Sequence, residues 1–163
     1  MKYKRLTNEE LKELETPFVR FLATNQITAD EWAKMKTDAP GRVEELIEIF
    51  SDMVYDQTLK NIEYLEYKTP KDIKTFHCQK DKIVMMGLMV EGESDIDFTR
   101  AMTSDEMSQL IRESGAALSL YTAEKQLADD RETELFKMLN AGCLISRDGF
   151  LFKTLYALKP AGK

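Results

Sequence analysis

The sequence predicts an α+β fold: N-terminal helices, a small antiparallel sheet, two further helices and a C-terminal β-hairpin. Three observations carry that prediction. The first is one device used three times: Leu6-Thr7…Glu10-Leu11, Ile27-Thr28…Glu31-Trp32 and Met102-Thr103…Glu106-Met107. Each is the pattern of a capping box inside a hydrophobic staple. The threonine oxygen takes the N3 backbone N–H, the glutamate returns to the threonine N–H, and the apolar pair fixes the angle at which the chain enters the helix. The second is a change of period, from helical spacing before about residue 61 to short apolar runs bounded by turn residues after it. The third is Asp148-Gly149 between two apolar runs, a strong hairpin signal.

The helical part is expected over 7–61. After Thr7, Leu11, Leu14, Phe18, Phe21 and Leu22 make one apolar face. Pro17 interrupts it, so a kink or break is expected near Thr16. Thr28 opens a second helix carrying Trp32 and Met35, and Pro40 restarts the chain where a first-turn proline costs nothing. From there Val43, Leu46, Ile47, Phe50, Met53 and Val54 form the cleanest stripe, to about Asn61.

The sheet is expected over 62–98. Segments Ile62 to Lys68, Ile73 to Cys78 and Ile83 to Val90 read as an antiparallel meander, with a short strand at Ile96 to Phe98. The unbroken apolar run of the third segment predicts a strand covered on both faces. Helices follow over 104–141. One ends near Gly115 and one runs from about Leu120 to Asn140, with Gly142 as its stop. The hairpin, 143–158, is expected to pair Cys143 to Arg147 with Phe150 to Leu158. Lys159 to Lys163 should fray.

A length of 163 residues is most simply one domain, and 43% hydrophobic with 32% charged residues suits a soluble globular chain. The net charge of −6 disfavours attraction to phosphate backbones, so nucleic acid is not an expected partner. The longest apolar run, Ile83 to Val90, is too short to span a membrane. The N-terminus reads as no secretory signal, and cytoplasmic residence is the expectation. Cys78 and Cys143 lie far apart, and free buried thiols are expected there.

Several blocks resemble an uncharacterised family of short bacterial proteins, typical of Bacteroidota, classed as a domain of unknown function. They are Lys2-Tyr3-Lys4-Arg5-Leu6-Thr7, Phe21-Leu22…Ile27-Thr28…Glu31-Trp32, Phe50-Ser51-Asp52, Ile62 to Glu66, and Leu135-Phe136…Gly142…Ile145-Ser146…Gly149…Leu151. The resemblance spans nearly the whole chain and implies a full-length module. It brings no activity, ligand or catalytic residue.

Chemistry-bearing residues are sparse. Glu91, Glu93, Asp95 and Asp97 alternate in a polar connection, and in an extended segment alternating carboxylates share a side, where a divalent cation could collect them. The competing reading is a solvated loop. His77 is the only histidine, so any Ser-His-Asp or Cys-His device must use it, and adjacent Cys78 would face the opposite side of a strand. An ordinary strand histidine is expected. Phosphate-binding glycine loops are absent.

Glu45, Glu48, Asp52 and Asp56 form an acidic stripe on the long helix. Their mutual repulsion would be relieved by a basic partner, so they are the candidate partner-binding residues, against the reading of a solvated face. Arg131 falls among Leu127, Leu135 and Met138 if the last helix is continuous, with Glu124 as the carboxylate to satisfy it. A break at Asp129-Asp130, with an aspartate capping a new helix, or a partial exposure of Arg131, is the arrangement we favour. Phe150, Phe152, Leu155 and Tyr156, if exposed on the hairpin, would make an oligomer contact.

No catalytic cluster and no cofactor motif emerge. The reading leans away from an enzyme, toward a non-enzymatic cytosolic module that binds another macromolecule, a protein partner or itself, through helix or hairpin surfaces. The alternatives are a divalent-metal-binding protein or enzyme using the loop 91–97, and nucleic-acid contact through the C-terminal hairpin.

Overall fold

All three threonine caps form in the computed structural model, which describes residues 1–113, 117–128 and 130–159. Thr7, Thr28 and Thr103 accept at 3.1 Å from the N–H groups of Glu10, Glu31 and Glu106. Among the described residues no glutamate returns the bond, so each box works through its threonine alone. The chain groups into two compact units, Met1–Lys60 and a second from Asn61 onward.

The first unit is all helix: α1 Asn8–Glu13, α2 Glu15–Thr24, α3 Ala29–Asp38 and α4 Pro40–Lys60. The expected break falls at Leu14 rather than Thr16. The reason is the proline ring, which clashes with the carbonyl four residues back and has no N–H to give. Helix α1 therefore ends at Glu13, and Pro17 takes the third position of α2, where an N–H has no helical partner anyway. Helix α2 closes with Gln26 at φ 61°, its N–H on Ala23 O and the Ile27 N–H on Leu22 O, both 2.9 Å. That is a Schellman closure with an apolar contact pair, and it sets Ile27 and Thr28 to begin α3. Leu6, Phe21, Leu22, Leu46 and Phe50 form the core, with Phe18 and Trp32 packed against it.

The second unit carries a five-stranded antiparallel sheet in the order β4-β3-β2-β1-β5. Strands β1 Tyr64–Thr69, β2 Asp72–Cys78 and β3 Lys82–Glu91 are the expected meander, and β3 is an inner strand, paired on both sides. Its residues alternate between faces yet are mostly buried, as the apolar run predicts. The sheet continues where helix was expected. Residues Ala117–Gln126 form β4, paired with β3 over ten positions, and only Arg131–Asn140 is helix α6. The local preference of Ala123, Glu124, Lys125 and Gln126 for helix yields to a complete strand ladder. Gly87 records this pairing: a Cβ there would lie 2.1 Å from the Tyr121 ring, so the glycine makes room for the aromatic residue opposite it.

The C-terminal hairpin is also replaced. Leu144–Ser146 forms β5, a short strand beside β1, and Phe150–Ala157 forms helix α7. Gly149 has φ +65°, and a Cβ on it would meet the Tyr64 ring at 2.5 Å. Asp148 Oδ1 accepts from Phe150 N at 3.1 Å, so Asp148-Gly149 opens a helix instead of turning a hairpin. The buried residues Leu151, Phe152 and Leu155 have helical spacing, which overrides the turn signal. They cover one sheet face with Met107 of helix α5 (Ser104–Glu113) and with Ile96 and Phe98. Ile96 to Phe98 is not a strand but part of an irregular loop that inserts two apolar side chains into this core. The expected end of α5 near Gly115, Asp129, and most of the fraying terminus lie outside the described residues. No described helix is long and apolar enough to cross a membrane.

Candidate binding groove

The helical unit carries a groove of about 710 Å³ lined by residues from α1, α2, α3 and α4. Its volume lies within the range of small-ligand and peptide-anchor sites. The break at Leu14 and the closure at Gln26 bring its walls together, since they turn α1 and α3 away from the line of α2. Leu22 and Ile47 line it as buried residues, while Leu11, Ile27, Phe18 and Trp32 line it half-exposed. Phe18 meets the edge of Trp32 with ring centroids 5.3 Å apart and an interplanar angle of 78°, a favoured aromatic geometry. Val19 is 56% exposed on the same lining.

Five charged residues border the groove, three cationic and two anionic. Arg5 and Glu44 neutralise each other through an ion pair, and Arg5 Nη1 also donates to Leu6 O at 2.6 Å. Lys36 Nζ stands 6.0 Å from the Trp32 ring centroid. With Lys12 and Glu15, the unpaired remainder is cationic by one charge in a chain whose net charge is −6. Sequence reasoning missed this groove because it assigned Leu11, Phe18 and Leu22 wholly to core. The available signal was Val19, an apolar residue beside the predicted stripe rather than in it.

The acidic stripe meets a partner within its own chain. Asp52 accepts from Lys2 N at 2.8 Å and Tyr3 N at 2.9 Å. Tyr3 OH donates to Asp56, and Lys2 Nζ pairs with the same carboxylate at 3.5 Å. Burial, reinforced by Asp56, pushes the Tyr3 phenol up to about 12, while the Tyr3 hydrogen bond holds Asp56 below the usual carboxylate range. Leu6 N donates to Ser51 Oγ at 2.9 Å, and the hydroxyl of fully buried Ser51 donates in turn to Ile47 O at 2.6 Å. Glu45 pairs with Arg42 at 3.1 Å, and Glu48 is half-buried on α4. The basic start of the chain is thus laid along the acidic helix.

The loop residues Glu91, Glu93, Asp95 and Asp97 do not share one extended side. Gly92 turns the chain at φ +79°, and Lys71 Nζ holds the loop through the carbonyls of Ser94 (2.6 Å) and Ile96. Asp97 accepts from the Thr99 N–H at 2.9 Å and from its hydroxyl, which lowers its pKa. Among the described residues, no three His, Cys, Asp or Glu side chains gather as a metal site.

His77 lies half-buried between Tyr64, stacked at 4.7 Å, and Phe152 at 5.4 Å. Both cysteines are free; burial pushes the Cys78 thiol up to about 12 despite the nearby Arg131 charge, the reverse of an activated nucleophile. Arg131 starts α6 after the Asp130 cap and donates to the carbonyls of Gln79 (3.1 Å), Cys78 (3.0 Å) and Ile62. Its guanidinium clamps strand ends, and Glu124 is spent on Lys82 at 3.6 Å. A second, polar hollow of about 180 Å³ is bordered by Glu66, Lys68, Ser146 and Asp148. Burial raises the Glu66 pKa, with Asp148 adding to it and Lys68 and Ser146 opposing.

The molecule is a mixed α+β protein: one unit holds an apolar groove lined by four helices, and the other holds a five-stranded antiparallel sheet. The chain belongs to a family of unknown function, DUF6495, whose family model matches residues 1–160. No curated protein and no solved structure matches it.

Proposed function

We propose that the protein is a non-catalytic binding module that takes an apolar segment of a partner protein into the helical groove. The observation that carries this reading is the groove itself: about 710 Å³, with Phe18, Trp32 and exposed Val19 on its lining. Aromatic anchors in concave apolar sites are the usual seat of binding energy. The excess of lysine over glutamate at the rim selects a segment that is amphipathic with carboxylates on its polar side. The perturbed groups support a non-enzymatic role, because the one buried thiol is held protonated and the one histidine is packed between aromatic rings. Two free thiols fit a reducing compartment, and on that ground the protein works in the cytoplasm. The family resemblance extends this reading to bacteria of the Bacteroidota type.

A photo-crosslinking residue in place of Val19 tests the proposal in the native cell. The expected result is a discrete partner joined through an apolar, acid-flanked segment. Absence of any joined protein, or joining that persists when Trp32→Ala and Phe18→Ala empty the groove, overturns it.

A further inference from the structure

We propose that the outer edge of β4 pairs with the same edge of a second copy of this chain, giving an antiparallel dimer whose sheet runs continuously through both copies. Strand β4 is an outer strand, and its ladder with β3 is unbroken from Lys82↔Gln126 to Glu91↔Ala117. At the end of that ladder Leu127 N donates to Asp81 O at 3.0 Å. In an antiparallel pair the residues alternate in the side to which both backbone groups point. The odd-numbered residues of β4 therefore bond to β3, and Leu118, Leu120, Thr122, Glu124 and Gln126 direct N–H and C=O outward. Among the described residues no backbone hydrogen bond reaches these outward groups.

Edges of this kind are ordinarily blunted by proline, a bulge, charged side chains or shortness. The opposite edge, β5, has only three residues. Strand β4 has ten, with no proline and no bulge. Its two charges are already paired within the chain, Glu124 with Lys82 at 3.6 Å and Lys125 with Glu134 at 3.3 Å, so they do not set two copies against each other. Thr122 to Gln126 are exposed, and half-buried Leu118 and Leu120 extend the sheet core to the edge.

The occupant is a second copy because the strand matches itself. A two-fold axis through Leu120, perpendicular to the sheet, faces Leu120 with its equivalent, Leu118 with Thr122, and Ser119 with Tyr121. The first two kinds of pair fall on outward-pointing residues and exchange two backbone hydrogen bonds each. Apolar and β-branched side chains meet across the join, while Glu124 and Lys125 lie beyond its centre. A register centred on Glu124 would instead oppose two carboxylates. Such a self-complementary patch is what a closed two-fold dimer requires.

Sedimentation of the full chain over a concentration series, with residue-resolved hydrogen exchange, tests this. The expected result is a monomer–dimer equilibrium in which the amides of Leu118, Leu120 and Thr122 exchange about tenfold more slowly at high concentration. Thr122→Pro removes one outward N–H without touching the β3 ladder and is expected to give a monomer. Thr122→Lys, which sets an exposed charge against Leu118 of the other copy, is expected to weaken association and serves if the proline variant does not fold. A wild-type chain that stays monomeric at its highest soluble concentration overturns the proposal. So does a dimer that survives both substitutions, or one that leaves those three amides unprotected.

Discussion

In the helical unit Gly41 has no atom within 4 Å of where a Cβ would stand, while in the sheet unit Gly87 and Gly149 each have a tyrosine ring in that place. The same contrast runs through the polar groups. Asp52, Asp56 and Ser51 of the helical unit are satisfied by the backbone and side chains of residues 2–6 and 47. Glu66 of the sheet unit is desolvated beside Asp148, and Arg131 reaches carbonyls more than 50 residues away in sequence. One unit is fixed turn by turn along helices, and the other by the close approach of segments distant in sequence.

The largest expected effect breaks the sheet side of that comparison. Gly149→Ala forces a side chain into a left-handed backbone and against Tyr64, and should cost about 3 kcal/mol in urea unfolding. A loss below about 0.5 kcal/mol would mean that Tyr64 simply moves aside. Next comes Ser51→Ala, which strands the buried Leu6 N–H and should cost about 2 kcal/mol. Thr28→Ala removes one cap bond, and about 1 kcal/mol is expected. Gly41→Ala, by contrast, meets open space in a helix and should gain about 0.5 kcal/mol.

Two carboxylates sharpen the comparison through pH. The Asp56 pKa is lowered on folding, so its stabilisation is present above the ordinary carboxylate pKa and is lost as pH falls through the lowered one. Asp56→Asn should therefore lower Tm at pH 7, with the deficit closing in acid. The Glu66 pKa is raised, so its stabilisation holds below the ordinary value and is lost as pH rises through the raised one. Glu66→Gln should raise Tm at pH 7, with the gain shrinking on acidification. Parallel melting curves of the two variants across pH 3 to 7 would deny the difference between the units.

The first 60 residues were largely legible because their instructions are local. A threonine before a helical stripe, a proline at a turn and an apolar residue every three or four positions act within a few residues of themselves. Even there the fate of the acidic stripe was hidden, since nothing local places Lys2 and Tyr3 against Asp52 and Asp56. The groove was hidden for the same reason: a stripe records which residues turn inward and says nothing of whether facing stripes close the space between them.

Beyond residue 61 the α+β class, the meander β1–β3 and the start of α5 were determined by sequence alone, through period, β-branched runs and a cap. Tertiary structure alone decided the rest. Ala117–Gln126 is a strand because β3 offers it ten partners and Gly87 offers Tyr121 a place, which outweighs the helix preference of its second half. Phe150–Ala157 is a helix because Leu151, Phe152 and Leu155 bury together against the sheet, a gain that a two-stranded ribbon could not match. Local propensities differ by fractions of a kcal/mol per residue, whereas each buried large side chain contributes about 1.5–3. Where the two disagree, burial decides.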